Sequence, residues 1–233
     1  EFNYNAMNHV NFSPAPDYFL TQGSQFSDIL KEYFPENKIQ IIGSLKYDNY
    51  LKILKKKEQI AHLCNQKLKI NKSKVLLLAP SVNDSQEIID IFSHWRNRDD
   101  WMVVLSPHPA VSIKTIKMYQ EKLYPWLKIH YESSMRTYEL MTASTLVISG
   151  YSTTAIEASF YGIQSVRFAG LGTFPLFEYE NNIPVFYDGQ SFIEWFEEKD
   201  WESNEYNAFK KDADKMISKY FYKIDGKSSI RLW

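Results

Sequence analysis

The sequence predicts an α/β fold built on a doubly wound parallel sheet, and three observations carry that expectation. Short continuous apolar runs stand at residues 75–79, 101–105 and 145–148, the pattern of strands buried on both faces. Segments with helical apolar periodicity separate them. Turns rich in Ser, Pro, His and Gly close the strands, at the sheet edge where open parallel sheets bind ligands. With 233 residues, 44% hydrophobic and 16% aromatic, the chain can fill a core, which excludes a disordered protein.

Taken in order, Tyr18, Phe19 and Leu20 begin a strand, the Thr21-Gln22-Gly23-Ser24 turn follows, a helix covers 27–33, and a second strand covers 39–42 and ends on Gly43. Residues 50–68 read as one amphipathic helix, apolar at 51, 53, 54, 60, 61, 63 and 64 among many lysines that form a solvated face. After the strand at 75–79 comes a helix over 85–96, with Asp84 or Ser85 as its N-cap. The strand at 101–105 is followed by a helix over 112–123, an edge-like strand over 128–131, a helix over 135–142 and the strand at 145–148. A helix over 154–160 is stopped by Gly162, and a strand covers 164–168. The regular alternation runs over 73–205, and a final helix over 206–222 crosses back over a neighbouring unit.

Charge and cysteine content narrow the function. With 27 Lys and Arg against 28 Asp and Glu, the chain lacks the polycationic surface that duplex binding needs, which argues against nucleic acid as a partner. One cysteine, Cys64, excludes a disulfide framework and suits a reducing compartment, so the expected location is cytoplasmic. It falls on the apolar side of the lysine-rich helix and reads as a packed thiol. No window reaches 18 apolar residues, and the first residues form no signal peptide. The chain opens on Glu1-Phe2 without a Met and is read as a fragment or processed piece of a longer protein.

Two turns carry candidate chemistry. In Ser149-Gly150-Tyr151-Ser152-Thr153-Thr154-Ala155-Ile156-Glu157, the pair Thr154 and Glu157 has capping-box spacing, which predicts a helix from Ala155. Its first amides, with hydroxyls of Ser152 and Thr153 beside them and Gly150 at the sharp turn, form either an anion site or an ordinary capped helix. In Ser106-Pro107-His108-Pro109, two prolines hold one imidazole at a strand end, where it can donate to a phosphate or stand as a plain surface residue. The two turns are expected at adjacent strand ends. The loop over 170–178, with Glu178, is either a base or sugar pocket or a plain connection. GxGxxG, GxxxxGK[ST], HExxH and GxSxG are all absent, and the five histidines lack metal spacing, so neither a metal nor a bound cofactor is expected.

Together these residues resemble the C-terminal nucleotide-binding domain of GT-B glycosyltransferases that build bacterial surface polysaccharides, above all the Kdo and sialic acid transferases with His-Pro and Ser-Ser/Thr motifs. The first motif falls at His108-Pro109 and the second at Ser152-Thr153. The resemblance implies that Ser106, His108, Pro109, Gly150, Ser152, Thr153, Thr154 and Glu157 bind the phosphate and cytidine of a CMP-sugar, with His108 catalytic. Residues 18–30 and 39–48 look like the end of a first Rossmann-like domain and its hinge, with Gly43 and Asp48 in the usual places. The ending Asp225-Gly226-Lys227-Ser228-Ser229-Ile230-Arg231 is similar to the tail of CDP-glycerol glycerophosphotransferases.

The implied organisation is 1–48 as the end of an N-terminal domain and connector, 49–205 as the Rossmann-like nucleotide-sugar domain, and 206–233 as a crossover helix and tail. The implied partners are a nucleotide-sugar donor and a glycan or glycolipid acceptor, in capsule or lipopolysaccharide assembly, with at most peripheral association with the inner membrane face. Two departures matter. Ser106 stands where relatives often carry Lys or Arg, and the paired glutamates of many retaining enzymes are missing, which argues against the UDP- or ADP-sugar branch. The acceptor base of the relatives belongs to their N-terminal domain, so the 233-residue chain is expected to bind nucleotide and transfer no sugar alone. Alternatives are a CDP-glycerol glycerophosphotransferase, a sugar-nucleotide 2-epimerase and a non-catalytic assembly module.

Overall fold

The computed structural model describes residues 16–81, 98–112, 135–150, 152–169, 183–201 and 217–232, the backbone of 129–131, and single positions within 88–95, within 114–121 and at 215. A small parallel sheet pairs β1 (Phe19–Thr21) with β2 (Ile39–Ile41), joined through α1 (Ser24–Lys31). The main sheet holds β3 (Lys74–Leu78), β4 (Trp101–Leu105), β5 (Ile129–Tyr131), β6 (Leu146–Ser149), β7 (Gln164–Phe168) and β8 (Val185–Phe186). All its pairings are parallel, and the spatial order is β5-β4-β3-β6-β7-β8. The chain therefore winds outward from β3 to one edge, returns to β6 beside β3, and winds outward to the other. This is the doubly wound, Rossmann-like sheet expected, and its direction reverses between β3 and β6.

The period of two along the strands divides the core into two faces. Leu76, Leu78, Val103, Leu105, Leu146, Ile148, Val166 and Phe168 face one way, onto Ile88, Ile91 and the Phe192, Ile193 and Phe196 side of α7 (Gly189–Glu198). Val75, Leu77, Met102, Val104 and Val147 face the other, onto α5 (Thr137–Thr142) and α6 (Thr154–Phe160). Both faces being covered is what demands the near-continuous apolar runs of the sequence. The strand at 101–105 is buried at every position.

Between the sheets lie three helices, α2 (Leu45–Asp48), α3 (Tyr50–Leu54) and α4 (Lys57–Leu68), where one helix over 50–68 was expected. Lys56 leaves helical geometry at φ −116° and ψ 15°, and Lys57, the first residue of α4, reaches the Tyr161 carbonyl. Cys64 is fully buried and donates to the Glu139 carbonyl of α5 at 3.4 Å, which bears out its reading as a packed thiol. The strand β8 and helix α7 were missed, although Asp188 caps α7 by accepting from the Ser191 amide at 2.8 Å. Most of the helices expected over 85–96 and 112–123, the 170–178 loop and most of 206–222 lie outside the described residues.

Residues 217–221 are helical and lie against α1. Ser24 donates to the Lys219 carbonyl at 3.3 Å, and the Phe26 and Tyr220 rings meet edge to face at 6.5 Å. The tail then closes on the connector. Asp48 accepts from the Ser228 amide and hydroxyl, both at 2.9 Å, and Arg231 donates to the Ile42 carbonyl at 3.1 Å. Gly43 turns the chain at φ +85°, and a Cβ there would sit 2.8 Å from Ser228 Oγ. A Cβ on Gly23 would clash with the Lys219 carbonyl oxygen and with the Tyr220 backbone. Gly23→Ala is therefore expected to cost about 1–3 kcal/mol by overpacking, read as a lower urea midpoint. An unchanged midpoint would mean that the tail does not pack there.

Candidate functional site

The carboxyl ends of β3, β4 and β6 share one edge of the sheet, and the crevice at a reversal of strand order is where such sheets bind ligands. β3 leads into Ala79, Pro80 and Ser81, and β6 leads into Gly150 and the hydroxyl turn. The Ser106-Pro107-His108-Pro109 turn follows β4, on the other side of β3. The expectation of adjacent strand ends is thus corrected: β3 lies between the two turns, because β4 and β6 each pair with it. At about 4.8 Å per strand the turns are about 10 Å apart.

At β4 the sheet hydrogen bonding runs on to Ser106, whose amide donates to the Leu78 carbonyl at 2.8 Å. Ser106 is buried, and its hydroxyl pairs with Thr137 at 2.8 Å, so it ties the strand end to α5 rather than opening to a ligand. His108 and Pro109 are exposed. The Ala110 amide donates to His108 Nδ1 at 3.2 Å, and the Val111 amide to the His108 carbonyl at 2.9 Å. With Nδ1 accepting, the neutral ring carries its proton on Nε2, the end free to donate outward.

At β6 the turn is held from inside. The Thr154 amide donates to Ser152 Oγ at 3.2 Å, and the Ser152 and Thr154 hydroxyls pair at 2.6 Å. Arg167 of β7, only 3% exposed, donates through Nε to the Gly150 carbonyl at 3.3 Å. Ser149, opposite Arg167 in the strand register, is fully buried. Sequence reading named Ser149 in the hydroxyl turn without a role and missed Arg167, for which an arginine inside an otherwise buried strand was the available signal.

Helix α6 covers the 154–160 range read from the sequence, but Thr153 and not Thr154 is its N-cap. The predicted capping box is not formed. Instead Thr153 Oγ1 donates to Glu157 Oε1 at 2.6 Å, and Glu157 turns inward. The same oxygen accepts from Lys46 Nζ and Tyr47 Oη, both at 2.8 Å, while Oε2 accepts from Tyr50 Oη at 2.9 Å. Glu157 is 5% exposed, so it lies beneath the turn and not at its surface. Burial alone would raise its carboxyl pKa, but the Lys46 and Thr153 hydrogen bonds, the Lys46 charge and the Tyr47 hydrogen bond outweigh it, and the carboxyl is held below its ordinary range. Burial, and then the charge of Glu157, push the Tyr47 and Tyr50 phenols far up, so both remain donors.

Solved structures share this architecture. The wall teichoic acid polymerase TagF, soaked with CDPG, superposes with a TM-score of 0.60 at 15% identity over 93% of this chain and 55% of that one. The UDP-GlcNAc 2-epimerase of Neisseria meningitidis, bound to UDP-GlcNAc, gives 0.59 at 17% identity over 93% of this chain and 60% of that one. The shared fold is GT-B. The C-terminal CMP-Kdo binding domain of WaaA from Acinetobacter baumannii gives 0.52 at 14% identity, and 72% of this chain covers the whole of that domain. The chain thus spans little more than half of the TagF chain and all of the isolated WaaA C-terminal domain. Neither a protein-family model nor a curated protein matches the sequence. Among the described residues no helix is long and apolar enough to cross a membrane.

Proposed function

We propose that the chain is the donor-binding half of a glycosyltransferase that uses a CMP-activated acidic sugar, such as Kdo or a sialic acid, in capsule or lipopolysaccharide assembly. The observation that carries this reading is the pair of polar turns flanking β3 at the carboxyl edge, one carrying exposed His108 and the other the paired hydroxyls of Ser152 and Thr154. Helix α6 has seven residues, so recognition rests on the hydroxyl and imidazole donors more than on the helix dipole.

In this reading Ser152 and its neighbours hold the phosphate, Gly150 lets the backbone approach it, and His108 stabilises charge on the departing CMP. Ser106, Arg167 and Glu157 position the turns from behind. The acceptor and the catalytic base come from outside these turns, and the reading calls for no metal. The CDPG soaked into TagF favours one alternative donor, CDP-glycerol, which shares the cytidine phosphate.

A thermal-shift series separates the donors. CMP and CDP at millimolar concentration are expected to raise Tm, CMP binding at about −4 kcal/mol or better, and UDP to raise it less. A larger shift with UDP would move the chain to the 2-epimerase class, and no shift with any nucleotide would make it a non-catalytic module.

A further inference from the structure

Thr153 Oγ1 carries one hydrogen, and in this structure that hydrogen is spent on Glu157 at 2.6 Å. The same carboxylate anchors the connector between the two sheets, through Lys46 and Tyr47 of α2 and Tyr50 of α3. Around it the anchor is aromatic. Tyr47 packs on Phe221 at 4.4 Å and on Phe160 at 5.2 Å, and Tyr50 on Phe160 at 5.8 Å. A buried carboxylate is costly unless its lone pairs are filled, so each donor lost from Glu157 weakens the seat of the connector.

We propose that Glu157 is a positioning residue that couples the hydroxyl turn to the connector over 43–56, because an anion on the turn and the Glu157 carboxylate compete for the single Thr153 hydrogen. An occupied turn draws Thr153 away, leaves Oε1 with Lys46 and Tyr47 only, and loosens α2 and α3; by linkage, a seated connector weakens anion binding by the same factor. The inference rests on the proposed function for the binding of an anion at this turn. Sheet-to-sheet movement is thereby tied to donor occupancy.

Amide hydrogen exchange over residues 44–56 of the full chain tests the coupling. Thr153→Val keeps the shape of the side chain and removes the hydroxyl; it is expected to speed exchange there about tenfold, since a hydrogen bond to a charged group is lost. Thr153→Ser, which keeps the hydroxyl, should leave exchange unchanged. In a Glu157→Gln background the difference between the Val and Ser variants should shrink, because a neutral amide oxygen is a weaker acceptor than a carboxylate. CMP should speed the same amides in the wild type and not in Thr153→Val. Equal exchange in the Val and Ser variants overturns the coupling, as does CMP that binds the turn and leaves these amides unchanged. If CMP does not bind, the nucleotide reading falls and inorganic phosphate takes its place in the test: exchange over 44–56 that speeds with phosphate in the wild type and not in Thr153→Val supports the coupling, and exchange unchanged by phosphate overturns it.

Discussion

His108→Ala, in an active transferase carrying this chain, is expected to lower kcat about a hundredfold while KM changes little. The leaving phosphate gains charge only as the glycosidic bond breaks, so a donor aimed at it strengthens in the transition state, and removing one such donor costs about 10² to 10³ in rate. The geometry suits that role. Nδ1 is occupied by the Ala110 amide, the flanking prolines fix the backbone, and Nε2 is left to donate from an exposed position. Steady-state kinetics with the cytidine donor decides it. An unchanged kcat returns His108 to an ordinary surface turn, and a raised KM alone makes it a ground-state contact.

Glu157→Ala is expected to destabilise the chain by about 3–5 kcal/mol, the cost of removing one partner from a buried charged cluster. Tyr47, Tyr50 and Thr153 lose their common acceptor, and the two phenols, nearly fully buried, have no water to turn to. Urea unfolding measures it, and a loss below about 1 kcal/mol would mean the cluster relaxes freely. The effect also carries a pH signature. Because the folded carboxyl is held below its ordinary value, its stabilisation is present above the unfolded pKa of about 4.3 and is lost as pH falls through the lower, folded value. Glu157→Gln should flatten that acid limb of the stability curve, and an identical limb in both proteins would contradict the assignment.

What could be read from the sequence followed how local each determinant was. The strands at 101–105 and 164–168 coincide with β4 and β7, since burial on both faces writes itself into consecutive residues. The edge position of β5 was equally visible in its short, mixed run. The strand order was not, and so β3 was not expected between the two turns; crossover connections leave no mark in any one segment. Glu157 shows the limit most clearly. Its spacing from Thr154 satisfies a local capping rule, yet donors more than 100 positions away, Lys46, Tyr47 and Tyr50, take the carboxylate instead. Arg167 was likewise passed over as one residue of a strand, although its burial beneath Gly150 makes it part of the site's support.

The central claim is that cytidine phosphate binds at the carboxyl edge on both sides of β3. Titrating CMP into the isotopically labelled chain and following the backbone amides tests it directly. The account predicts saturable shifts with a Kd of about 1 mM or tighter, concentrated at residues 106–111 and 150–157. Shifts that cluster elsewhere, or none at 10-fold that concentration, about 10 mM, would contradict it.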